Sequence, residues 1–232
     1  MTDHETAERV PSDQGLTTLG LLMQLCGTIF AAYGWPGAPA MITRVPLEPA
    51  LRAKLVGRYV IGDAPVEILE RGGKLVARIP FVDGGEVVPI SASAAVDLGD
   101  GARWPRPDAV RATSEHPLFL LEDGKRDAAV AALRALPRAE EARVNRLGYR
   151  VMPADPAKAA TILALAVDAY PTSANAQDSL AEALVRAGKH ELAISAYQRV
   201  LAIVDADPQI APAEKATYKA RANAELAKLR GR

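Results

Sequence analysis

The chain has 232 residues, 28 basic against 28 acidic side chains and thus no formal net charge, which leaves no basic footprint for nucleic acid or an anionic membrane surface. With 49% hydrophobic residues it can bury a sizeable core in one or two domains. Its single cysteine, Cys26, cannot form an internal disulfide, so cysteine usage does not fix the compartment.

The first element in chain order is Leu16–Tyr33, 18 residues without a charge and largely apolar. That length is the short limit for a membrane span, and Gly20, Gln24 and Gly27 dilute the apolarity. Asp3, Glu5, Glu8 and Asp13 precede it against one Arg9, whereas an export signal carries positive charge there. The flanks therefore argue against a membrane span and favour a cytoplasmic protein over an exported one. The alternative is a signal peptide with Ala38-Pro39-Ala40 as a cleavage-like site. As a helix, an apolar segment of this kind seeks cover, so self-association through Leu16–Tyr33 is expected.

From Gly57 to about Leu121 the pattern changes to short strands and turns. Gly57–Ile61 reads as a strand. Pro65–Arg71 and Lys74–Ile79 flank Gly72-Gly73, a hairpin turn. Asp83-Gly84-Gly85 marks a further turn before a strand at Glu86–Ile90. Further strands are expected near Ala109–Thr113 and Pro117–Leu121, and Asp127–Leu136 reads as a connecting helix ended by Pro137.

The segment 145–207 carries a repeat. Leu147-Gly148 recurs as Leu180-Ala181, a spacing of 33 residues, close to the 34-residue period of tetratricopeptide helical hairpins. Val144, Leu147, Gly148 and Val151 share one helical face. After Asp155-Pro156, an N-cap followed by proline, Ala159, Leu163, Ala166 and Val167 share another. Ala176, Leu180, Ala183, Leu184 and Ala187 repeat the design up to Gly188. Ala193, Tyr197, Val200, Leu201 and Val204 form the inner face of the helix that follows. The small residues at 148 and 181 permit close helix approach. A final helix, Pro212–Arg230, has Glu214 near its start and Lys228 and Arg230 near its end, which suits the helix dipole and a capping role.

Leu147-Gly148-Tyr149, Tyr170-Pro171-Thr172-Ser173-Ala174-Asn175 and Asp178-Ser179-Leu180 resemble the tetratricopeptide tail of certain serine hydrolases of the β-lactamase and penicillin-binding-protein type. The first repeat is one residue shorter than the family pattern at Pro153–Asp155, and the last repeat helix runs on towards Pro208. Leu51–Tyr59 with the Gly-Gly hairpin resembles the small β-rich domain of the same hydrolases, from which Trp104-Pro105-Arg106-Pro107 departs. Tyr33-Gly34-Trp35-Pro36, after a helix, resembles the end of their catalytic domain. The resemblance implies the back end of such an enzyme, with the catalytic domain absent from this chain.

The catalytic inventory agrees. Such enzymes activate a serine through a Ser-x-x-Lys, supported by Ser-Asp-Asn or Tyr-x-Asn and Lys-Thr-Gly elements. None of these occurs in the sequence, and Ser12-Asp13-Gln14 is a partial echo in a polar stretch. His4, His116 and His190 lack metal-ligand spacing. Catalytic, cofactor and metal residues are accordingly read as none. The expected organisation is α+β: residues 1–46 an N-terminal loop and helix, 47–124 a small antiparallel β-rich module, and 125–232 tetratricopeptide-type hairpins with a capping helix. The expected function is a non-catalytic interaction or accessory module with a protein or peptide partner. The alternative is a part of a β-lactamase-like hydrolase that works with a separately encoded catalytic domain. In a groove of this kind, Asn145, Tyr149 and Met152 of one hairpin and Asn175, Asp178, Glu182 and Arg186 of the next would face the partner. Solvated helix positions look the same in sequence. The set lacks a basic cluster for clamping a peptide carboxylate.

Overall fold

The computed structural model describes residues 44–61, 64–98, 103–106, 109–111 and 116–231. The fold is α+β, in two compact units divided between Ala112 and Thr113. Leu16–Tyr33, with its expected self-association, lies outside the described residues, as does nearly all of the expected 1–46 segment.

In the first unit, helix α1 (Pro49–Leu55) opens with proline at its start and buries Leu51 and Leu55. Seven strands follow: β1 (Gly57–Ile61), β2 (Ala64–Arg71), β3 (Lys74–Ile79), β4 (Val82–Ser91), β5 (Ala94–Asp97), β6 (Arg103–Trp104) and β7 (Ala109–Arg111). They pair antiparallel in the order β6-β5-β4-β3-β2-β1-β7. Arg71 pairs with Lys74 across Gly72 and Gly73, both at positive φ (59° and 76°) as a tight primed turn requires. Tyr59, Ile68, Leu75, Ala77, Val87, Ala95 and Trp104 alternate onto one face and pack with Leu51 and Leu55. Tyr59 on β1 and Trp104 on β6 are five strands apart, about 24 Å in a flat sheet at the usual strand spacing. Their rings meet edge-on with centroids 5.4 Å apart, so the sheet curls over the helix. The Tyr59 hydroxyl donates to the carbonyl of Leu55 (2.7 Å), tying β1 to the end of α1.

Two sequence expectations change here. Asp83-Gly84-Gly85 is no turn but part of β4; the chain reverses at Pro80-Phe81, between Ile79 and its partner Val82. Gly84 is required for space: a Cβ there would lie 1.6 Å from the Ala77 carbonyl oxygen, beside an irregularity in the β3–β4 register. Pro117–Leu121 is not a strand. It is helix α2 (Pro117–Glu122), so this segment joins the helical unit rather than the β-rich module. The run Leu118-Phe119-Leu120-Leu121 is buried all round and has no period to separate helix from strand. Its cap decides: the His116 side chain accepts from the Leu118 N–H, and Pro117 takes the first helical position. The strand expected near Ala109–Thr113 is present as β7.

The second unit continues with α3 (Arg126–Arg134), α4 (Glu140–Val151), α5 (Pro156–Ala169), α6 (Ala174–Arg186), α7 (His190–Ile203) and α8 (Pro212–Arg230). From α4 onwards each helix packs on the next, α3 packs on α5, and α4 also touches α6. Asp155 caps α5 by accepting from the Lys158 N–H (2.8 Å), and Ser173 caps α6 by accepting from Ala176 (3.1 Å). The last long repeat helix ends at Ile203 instead of running on towards Pro208. Ala174, Ala176, Ala181, Ala183 and Ala193 are fully buried. A Cβ on Gly148 would lie 2.5 Å from Cγ of Leu163, so glycine there lets α4 lie close on α5. Ala181, its counterpart 33 residues on, is 0% exposed on α6.

Candidate partner-binding face

The seven residues singled out from the repeat lie on α4 and α6, except Met152, which follows α4. The structure gives them unequal roles. Tyr149 is 37% exposed and donates its hydroxyl to Glu182 (2.9 Å). Glu182 also accepts from Arg186, one helical turn on, at 3.0 and 3.2 Å. Arg186 is exposed, and Asn145 and Asn175 are half-buried. Met152, by contrast, is buried at 3% exposure and packs instead of facing a partner. Asp178 is buried at 1% and is held by Arg221 of α8, whose Nε lies 3.0 Å from Oδ1. Its carboxylate was expected on the outer face; a bare buried charge costs several kcal/mol, so the C-terminal helix supplies its counter-ion.

The polar residues form a ladder that locks α4, α6 and α8 in register. Glu141 on α4, itself buried, accepts from Ser173 (2.5 Å), Asn175 (3.4 Å) and Arg138 (2.6 Å). Asn175 in turn accepts from the Tyr218 hydroxyl of α8 (3.2 Å). Asp207, buried just before α8, accepts from the Ala174 N–H (2.7 Å) and from Gln209 (2.9 Å), which ties the last loop to the start of α6. Burial holds the phenols of Tyr149 and Tyr218 above their ordinary value, and both act as donors. Burial, seconded by Glu225 and Glu182, raises Tyr197 beside them to about 12. Asn145 keeps a buried Oδ1 without a hydrogen-bond partner among the described residues.

Tyr218 and Arg221 escaped the repeat argument. They contact Asn175 and Asp178 at a separation of 43 residues, against 33 for Tyr149 and Glu182. The longer connection between Ile203 and Pro212 breaks the period. The available signal was a common offset: shifting both Asn175 and Asp178 by the same distance lands on a hydrogen-bonding residue.

The charges of this face are paired internally. Its carboxylates are each already engaged by a donor: Glu141 by Ser173, Asp178 by Arg221 and Glu182 by Tyr149. Among the described residues no three His, Cys, Asp or Glu side chains gather to hold a metal ion. No helix among them is long and apolar enough to cross a membrane. His116 is a helix cap, and His190 opens α7. Comparison with protein-family models, curated proteins and solved structures found no match to this chain.

Proposed function

We propose that this chain is a non-catalytic interaction module of tetratricopeptide type, binding a protein or peptide across the face shared by α4, α6 and α8. One observation carries the reading. The polar ladder fixes the three helices against one another, while Tyr149, Arg186 and half of the Arg221 side chain remain accessible on them. Tyrosine and arginine dominate binding hot spots, and a pre-organised face avoids the ordering cost of association. Each exposed cation here already has an acidic neighbour, so a neutral, hydrogen-bonding segment suits the face better than a free carboxylate.

The test is site-specific photocrosslinking from Tyr149 and Arg186, with Leu192 on α7, 57% exposed, as control. The expected result is one discrete partner captured from the first two positions and none from the third. Tyr149→Ala and Arg186→Ala should then each weaken that purified complex about tenfold, equivalent to ~1.4 kcal/mol, without altering helical content. Equal capture from Leu192, or unchanged affinity in both variants, would sink the proposal.

A second reading, an accessory part of a β-lactamase-like hydrolase, is favoured by the order of a curled sheet unit followed by helical hairpins. On either reading this chain alone should not be labelled by penicillin or a fluorophosphonate. Stoichiometric labelling of a serine, located by mass spectrometry, overturns both.

A further inference from the structure

We draw no further inference here: the strongest candidate, the exposed alanine-rich face of α8 (Ala213, Ala216, Ala220 and Ala227), is a stripe of small residues on the side of the helix turned away from α7, and nothing in the structure shows what covers it.

Discussion

In the sheet unit the core closes through a few large side chains: Trp104 and Tyr59 meet across the curl, with Leu51, Leu55, Ile68 and Leu75 beneath them. In the helical unit the close contacts run through alanine and glycine, with Gly148 under Leu163 and Ala174, Ala176, Ala181 and Ala183 wholly buried on α6. A curled sheet encloses volume that must be filled, so it depends on bulk. Stacked helices approach as closely as their smallest residues allow, so they depend on the absence of bulk. At these two sets of contacts the units should therefore fail under opposite substitutions, and polar burial separates them again. The sheet unit carries partly exposed ion pairs, with Glu67 held by both Arg58 and Arg78, whereas the helical unit buries Asp178 and Glu141 almost completely.

The largest effect is expected from Trp104→Ala, which removes the far side of the sheet closure. It should cost about 3–5 kcal/mol in urea unfolding of the sheet unit, read by near-ultraviolet circular dichroism, with the helical signal at 222 nm retained. A cost below about 1 kcal/mol would mean that the curl does not close through this side chain.

Next is an asymmetry within one ion pair. Arg221→Met leaves a carboxylate that is 1% exposed without its counter-ion and should cost about 3 kcal/mol. Asp178→Asn leaves only a half-exposed guanidinium unpaired, and should cost about 1 kcal/mol. Denaturant midpoints at neutral pH order the two; the reverse order would place Asp178 in solvent, where the repeat pattern alone had put it.

Ala181→Leu tests the small-residue rule directly. Overpacking at a 0%-exposed position should cost about 1–3 kcal/mol. Ala213→Leu, on the exposed side of α8, should stay within about 0.5 kcal/mol. Equal effects would show that helix approach is not set by residue size at this crossing.

The smallest effect is pH-dependent. Burial lowers the His116 imidazole below its ordinary value of 6.5, and its Nδ1 must be unprotonated to accept from Leu118. The neutral form is the one that folding favours. Its contribution is therefore complete above pH 6.5 and is lost as the pH falls through the depressed folded value. His116→Asn caps without titrating, so it should remove up to about 1 kcal/mol of the acid-side decline while leaving neutral stability nearly unchanged. Parallel stability–pH curves for the two proteins would rule out titration of the cap.

Much of this architecture is local and so was legible in sequence. The Gly72-Gly73 hairpin follows from two positive-φ positions, the start of α5 from Asp155-Pro156, and the close approach at 148 and 181 from residue size at repeat spacing. The strand β1 falls where its residues place it, because alternation and flanking glycine act within a few residues. Gly84 misled because a glycine needed for close approach to the Ala77 carbonyl looks the same in sequence as a glycine needed for a turn. The Leu118–Leu121 run misled because uniform burial erases the period that distinguishes helix from strand.

The candidate face divides along the same line. Sequence alone determined that Tyr149, Glu182 and Arg186 would share one side of the hairpins, because the 33-residue period and the helical turn set their direction. Tertiary structure alone decided that Asp178 and Met152 would be buried and that Tyr218 and Arg221 would join the face. That choice depends on where a helix 43 residues away comes to rest after an irregular connection. No local propensity carries this information: the burial of a charge is settled only when its counter-ion arrives from elsewhere in the fold.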